Sequence, residues 1–188
     1  MTFPAISTVE SQRLSLVPVA TAHLDDLFEI NGDDDVTRFL PYATWTSLED
    51  GRAWLSRMAT LAVAGTGQQL VLVRRMDGKV IGTMLLFKYD QGSGRLELGY
   101  ALGRRYWHQG FMREAVAAAC AHAFAAMGIR RIEAEVNPAN TMSCALLSKI
   151  GFVLEGTHRK RWVGKGAAYD TNFYGLLAED WSHRTAGS

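Results

Sequence analysis

The sequence predicts an α/β protein: a single domain whose mixed, mostly antiparallel sheet carries a central parallel βαβ unit. Three observations lead there. Leu96-Glu-Leu-Gly-Tyr-Ala-Leu102 reads as a strand, a turn closes at Gly110, and an alanine-rich helix then leads to the strand Arg131-Ile-Glu-Ala-Glu-Val136. Strand, crossover helix and strand make a parallel pair. Gln69-Leu-Val-Leu-Val-Arg-Arg75 and Lys79-Val-Ile-Gly-Thr-Met-Leu-Leu-Phe87 flank the hairpin dipeptide Asp77-Gly78, and Gln91-Gly-Ser-Gly94 turns into the Leu96 strand. Strands joined by such tight turns form an antiparallel meander. Finally, 188 residues at 48% hydrophobic content suffice for a compact core, and no repeat or linker divides them.

Taken in order, residues 1–12 are expected to be a loose start. Arg13-Leu-Ser-Leu-Val-Pro-Val19 alternates as a strand, with Pro18 favouring its edge or end. Thr21 is positioned to cap a helix from Ala22 to Ile30, with Leu24, Leu27 and Phe28 on one face. Asn31-Gly-Asp-Asp-Asp breaks it, and a short helical piece follows around Val36 to Leu40. Ser47-Leu-Glu-Asp50 is a capping-box pattern for a helix to about Val63. The loop aromatics Phe39, Tyr42 and Trp45 either line a pocket or close a core edge.

The helix after Gly110, expected to begin near Met112, places Val116, Cys120, Phe124 and Met127 on one face and stops at Gly128. Asn137-Pro-Ala-Asn140 is a loop, Thr141 to Ile150 a short helix, and Gly151 its stop. Phe152 to Trp162 and Tyr169 to Leu177 are strands joined at Lys165-Gly-Ala, and residues 183–188 are expected to be a loose tail.

Composition narrows the function. Lys+Arg 20 against Asp+Glu 19 gives a net charge of +1, without the basic excess of a dedicated nucleic-acid binder. Cys120 and Cys144 each fall in an expected helix, which speaks against a disulfide framework and for a reducing compartment. The first residues lack the pattern of a signal peptide, and no apolar run approaches membrane-spanning length. A cytoplasmic protein with no membrane partner is expected. No Cys/His/carboxylate cluster has metal-ligand spacing, so no metal is expected.

One stretch suggests chemistry. Gly110 lies where the turn becomes the helix, and a residue without Cβ lets a ligand approach the main chain. The first helix amides lack internal acceptors, and the helix dipole adds partial positive charge. Strand, glycine turn and helix start together suit an anion such as phosphate. A plain strand-to-helix connection has the same pattern.

Glu97-Leu-Gly-Tyr100, Trp107-His-Gln-Gly-Phe-Met-Arg-Glu-Ala115, Asn137-Pro-Ala-Asn-Thr-Met-Ser143 and Lys149-Ile-Gly-Phe152 together resemble the GNAT N-acetyltransferase superfamily. Tyr169-Asp and Tyr174-Gly-Leu-Leu177 are similar to the C-terminal strand of its Rim-type group, which acetylates ribosomal-protein N-termini and includes relatives of other specificity. The resemblance spans Arg13 to Trp181. It implies acetyl-CoA as cosubstrate, a splayed cofactor cleft, and transfer of acetyl to a primary amine without a covalent enzyme intermediate. A peptide N-terminal α-amine is the expected acceptor. A small-molecule or antibiotic amine, and a CoA-binding sensor without catalysis, are the alternatives. A homodimer is left open.

Carried over residue by residue, the resemblance implies CoA phosphates held by the main chain of Trp107, His108, Gln109, Gly110, Phe111, Met112 and Arg113. The family often has Gln or Arg at the Trp107 position and Gly or Ala at that of Met112, so this chain departs at both. Pantetheine would lie along Tyr100, Ala101 and Leu102, where the strand parts from its parallel neighbour. Strand alternation separates Leu96, Leu98, Tyr100 and Leu102 from Arg95, Glu97, Gly99 and Ala101. Asn140 would contact the cofactor, and Ser143 would sit near the thioester sulfur and donate a hydrogen bond to the departing thiolate; both residues also suit helix capping. Some Rim-type enzymes carry a carboxylate where this chain has Arg159-Lys-Arg-Trp162. The acceptor then loses its proton to water or to a direct base, of which Glu97 is preferred over Glu135 and Asp170, and each also reads as an ordinary strand charge. The acceptor would enter beside Arg38, Phe39, Trp45 and the C-terminal hairpin at Trp162.

Overall fold

The structure, a computed structural model, describes residues 2–186. Its eight-stranded sheet runs β1-β2-β3-β4-β5-β6-β8-β7. The strands are β1 (Val9–Glu10), β2 (Leu14–Pro18), β3 (Gln68–Arg74), β4 (Val80–Asp90), β5 (Arg95–Leu102), β6 (Arg131–Val136), β7 (Val153–Gly164) and β8 (Ala167–Leu177). The helices are α1 (Leu24–Asn31), α2 (Asp34–Thr37), α3 (Leu48–Val63), α4 (Phe111–Ala126), α5 (Thr141–Ile150) and α6 (Ala178–Ala186). The β2–β5 pairings are antiparallel, β5 and β6 are parallel, and β8 returns antiparallel to β6. The mixed sheet with its βαβ unit is therefore as the sequence predicts.

Each face of the sheet carries its own core. Leu96 and Leu98 of β5 join Ala115, Val116, Ala119, Cys120 and Ala123 of α4, with Leu147 of α5, in the larger cluster. Small α4 side chains let that helix lie close to the strands. Ala101, on the other face of β5, joins Leu24 and Leu27 of α1, Trp45 and Trp54 in the second. Alternation along one strand thus supplies both cores.

The helix ends follow local chemistry. Ser47 and Asp50 form the expected capping box at α3. Gly128 leaves α4 at φ +64°. At α1 the expectation fails: Thr21–His23 form a 3-10 turn, and His23 Nδ1 accepts the Ala20 N–H at 3.0 Å. The turn is capped from inside by an imidazole rather than by Thr21. Asp33 caps α2, accepting the Asp35 N–H at 2.9 Å, and that helix stops at Thr37.

The loose start is also corrected. Phe3, Ile6 and Val9 are 6, 3 and 7% exposed within the main core. The Gln68 side chain brackets Ile6, accepting its N–H at 2.8 Å and donating to its carbonyl at 2.9 Å. Three apolar residues without strand or helix periodicity gave no local signal, yet Phe3 and Ile6 enter the main core and Val9 joins it from β1. At the other end α6 continues to Ala186, so the tail expected over 183–188 is helical there, and residues 187–188 lie outside the described ones. No helix among the described residues is long and apolar enough to cross a membrane.

The feature that positions the site is a pairing that stops. β5 and β6 pair only from Arg95↔Arg131 to Glu97↔Glu133, although β5 runs on to Leu102 and β6 to Val136. Beyond Glu97 the strands diverge and leave a gap, as the resemblance implied.

Candidate active site

The turn between β5 and α4 forms one end of the gap. Gly110 is the N-cap residue of α4 at φ +79°, a left-handed conformation that glycine adopts without steric penalty. His108 also has positive φ, +60°, and is exposed. The carbonyl of Gly110 accepts the Glu114 N–H at 3.0 Å, so the N–H groups of Phe111, Met112 and Arg113 precede the helical ladder. The side chains of Phe111 and Met112 turn away into the core, each 6% exposed, while Arg113 is exposed. Met112 therefore adds no bulk where an anion would approach; its side chain fills space under the helix.

The turn is held from outside. Gln109 Nε2 donates to the Arg105 carbonyl at 2.7 Å, and Arg13 Nη1 donates to the Gln109 carbonyl at 3.1 Å. Trp107 Nε1 donates to the Leu102 carbonyl at 2.8 Å. Trp107 thereby ties the turn to the end of β5.

Register explains what the gap offers. Gly103 N–H donates to the Ile81 carbonyl at 2.8 Å, and β4 pairs with β5 at Gly82↔Leu102, Thr83↔Ala101 and Met84↔Tyr100. Antiparallel pairs alternate, so Gly103, Ala101 and Gly99 point their main-chain groups at β4. Tyr100 and Leu102 point theirs the other way, where the ladder to β6 has ended, with the Leu102 carbonyl already taken by Trp107. The Tyr100 N–H and C=O thus have the geometry to receive one more extended partner.

At the far side of the gap lies the start of α5. Asn140 caps it, its Oδ1 accepting the Ser143 N–H at 3.2 Å. The Ser143 hydroxyl does not cap; it lies 2.7 Å from the Tyr100 phenol oxygen. The bland reading thus holds for the Asn140 side chain, and the Ser143 side chain is directed to β5.

The opposite face carries the carboxylates. Glu97 Oε2 and Glu135 Oε1 lie 2.6 and 3.0 Å from Lys88 Nζ, with Glu97 itself 7% exposed. Burial pushes the Glu97 carboxyl above its usual value, and the Lys88 ammonium only partly offsets this. Glu135 is also drawn up by burial, but hydrogen bonds from Trp162 and Lys88 leave it below the usual range. Trp162 Nε1 donates to Glu135 Oε2 at 2.8 Å, and Arg161 approaches Oε1 at 3.7 Å. Lys88 has φ +51° beside the irregular register between Phe87 and Asp90. Asp170 is occupied elsewhere: it accepts the Lys160 N–H at 2.9 Å and holds the bulge of the β7–β8 hairpin.

That hairpin crosses to α2, where Lys165 Nζ donates to the Thr37 carbonyl at 2.7 Å. Arg38, exposed, and Phe39, half-buried, follow directly on α2, with the guanidinium 5.2 Å from the Phe39 ring centroid. Trp45 does not belong with them. It is 4% exposed and packs against Trp54 at 5.7 Å between ring centroids. Gly51 admits it, since a Cβ there would lie 2.8 Å from the Trp45 ring. Trp45 is a core residue under the α1–α3 layer and presents no face to an acceptor.

Sequence reasoning missed Arg13, Glu114 and Lys88, and missed the side-chain contact of Tyr100 with Ser143. Only Glu114 carried a local signal, as an acid in the first turn of a helix. Among the described residues no group of three His, Cys, Asp or Glu side chains gathers as a metal site would require.

Residues 13–153 match the acetyltransferase (GNAT) domain. The chain is 30% identical over 177 residues to the uncharacterized N-acetyltransferase p20 of Bacillus licheniformis, covering 94% of this chain and 99% of that one. It is also 30% identical over 169 residues to the uncharacterized N-acetyltransferase YoaA of Bacillus subtilis (strain 168), covering 90% and 96%. Mycobacterium smegmatis RimJ, solved in complex with CoA-disulfide, superposes with a TM-score of 0.85 at 24% identity, covering 96% of this chain and 94% of that one. That last likeness concerns the fold.

Proposed function

This chain belongs to the GNAT acetyltransferase family, and from that premise we propose that it moves acetyl from acetyl-CoA directly to the neutral α-amine of a peptide N-terminus. The observation that carries this reading is the parting of β5 from β6 after Glu97↔Glu133. It leaves Tyr100 main-chain groups facing a gap that lies between the Gly110 turn and the Ser143 hydroxyl. Amides at the turn and at the start of α4 suit the CoA phosphates, and the Tyr100–Leu102 edge suits the amide-bearing pantetheine.

In this site the amine nitrogen attacks the thioester carbonyl carbon and the new C–N bond forms. The Tyr100 N–H is placed to stabilise the oxyanion. As the C–S bond breaks, its electron pair goes to sulfur, and the Ser143 hydroxyl donates a hydrogen bond to that thiolate. The proton of the product nitrogen passes to water or to Glu97.

The choice of amine follows from the Glu97 environment. Its carboxylate is engaged by Lys88 at 2.6 Å, so the site has no unencumbered strong base and favours an amine that arrives neutral. An α-amine of pKa about 7.8 is roughly 14% neutral at pH 7, whereas a lysine near 10.4 is roughly 0.04% neutral. That is an advantage of about 300-fold, partly offset by the greater nucleophilicity of neutral lysine. Peptides with either the α-amine or the lysine amine blocked, competed for acetyl-CoA from pH 6 to 9, test the reading. Acetylation confined to the free α-amine at pH 7 supports it; preferential lysine acetylation overturns it.

A further inference from the structure

We infer that Tyr100 is a positioning residue for the leaving thiolate, its phenol donating to Ser143 Oγ so that the Ser143 hydroxyl proton is free for sulfur. This rests on the acetyl-transfer reading above and adds a residue to it.

The two oxygens lie 2.7 Å apart, and Ser143 is the one hydrogen-bond partner of the phenol among the described residues. Tyr100 packs against the main core on the α4 face of β5. Burial raises the phenol well above its usual value, so it keeps its proton at any working pH. The half-buried phenol has one proton to place, and Ser143 Oγ is its protein acceptor among the described residues. The phenol is therefore taken as the donor. The serine then accepts from Tyr100 and retains its own O–H for a further acceptor. Its main chain is held by the N–H bond to Asn140 Oδ1 at 3.2 Å, and its hydroxyl by the phenol.

Two consequences follow. An O–H whose oxygen accepts a hydrogen bond becomes a better donor, by about 10–30% per bond in chains of this kind. And one residue serves both changes of charge in the reaction: the Tyr100 main chain faces the gap where the oxyanion forms, while its side chain aims the donor to the thiolate. Ser143 alone, on the exposed first turn of a ten-residue helix, would sample several rotamers.

Tyr100→Phe removes one oxygen and preserves the ring that packs in the core. Thiol release from acetyl-CoA is the readout, with an alanine-initiated peptide as acceptor and separately with water, since both routes expel the same thiolate. Tyr100→Phe is expected to lower kcat about fivefold while CoA affinity by calorimetry stays within about twofold. Ser143→Ala is expected to lower kcat about tenfold, and the double variant to be no slower than Ser143→Ala alone. Wild-type kcat in Tyr100→Phe beside a slowed Ser143→Ala overturns this proposal and leaves the acetyl-transfer reading standing. Losses that multiply in the double variant do the same, because Tyr100 would then act independently of Ser143. A Ser143→Ala enzyme as fast as wild type overturns this proposal alone, whereas a wild type that releases no thiol by either route overturns both.

Discussion

Arg13 grips Glu114 twice: its main-chain N–H lies 2.6 Å from one carboxylate oxygen and its Nε 2.6 Å from the other. The same guanidinium reaches the Gln109 carbonyl and stacks 4.3 Å from the Phe111 ring centroid. One residue just before β2 thereby fixes both sides of the Gly110 turn.

Glu114→Gln tests how much this grip contributes. Burial draws the carboxyl up, but the Arg13 N–H, the guanidinium and the Ser11 hydroxyl outweigh it and leave Glu114 below its usual value. A group depressed in the fold contributes stability above its unfolded pKa and loses it as pH falls through the folded one. Wild type should therefore exceed Glu114→Gln by ~1 kcal/mol at pH 7, allowing for screening at the half-exposed arginine. The difference should vanish near pH 3. Urea unfolding at both pH values measures it, and an unchanged gap at pH 3 would be contrary to this account.

Gly110→Val should weaken CoA binding by about tenfold or more. The reason is conformational, since a Cβ at Gly110 would meet only an Arg13 guanidinium nitrogen at an ordinary 3.5 Å. The φ of +79° is what a β-branched residue resists, at ~1–3 kcal/mol. Gly110→Ala should show a smaller loss. Calorimetric titration with CoA of folded protein is the check, and equal affinity in all three would remove the turn from the cofactor site.

Trp45→Ala should destabilise the fold by ~3–5 kcal/mol, the range for deleting a buried aromatic. A pocket-lining tryptophan would behave differently, raising acceptor KM while leaving unfolding almost untouched. Chemical denaturation beside steady-state kinetics separates the two.

Lys88→Met should raise the Glu97 carboxyl further. Burial already raises it, and the ammonium that opposes burial would be gone. The sign is fixed: Glu97 would stay protonated to higher pH. If Glu97 takes the product proton, the acidic limb of the kcat/KM profile should move upward by the same amount. A carboxyl titration by carbon NMR locates the Glu97 shift independently. A shifted carboxyl with an unmoved limb would exclude Glu97 from the proton path.

Much of the fold was legible because it is written in short-range signals. Asp77-Gly78 permits a tight turn, Ser47 and Asp50 make a capping box, and alternation along Leu96–Leu102 assigns side chains to faces whatever packs there. Gly110 could be marked as a close-approach residue because its lack of Cβ is a local property. By themselves these residues determined an α/β domain with a parallel βαβ unit and a helix start suited to an anion.

The tertiary structure decided what depends on distance. Phe39, Tyr42 and Trp45 look alike in sequence, yet Trp45 is buried because Gly51 of α3 leaves room for its ring. Phe3, Ile6 and Val9 recur every third residue, a spacing of neither strand nor α-helix, and only the main core gives them a place. Arg13 meets Glu114 across 101 positions of chain, and Tyr100 meets Ser143 across 43. Glu97 of β5 and Glu135 of β6 share Lys88, which stands at the irregular register of β4. A hydrogen bond or ion pair is made over about 3 Å, so a pattern of neighbours in the chain does not encode it. The sequence could name Ser143, but its partner is set by how α5 packs against β5.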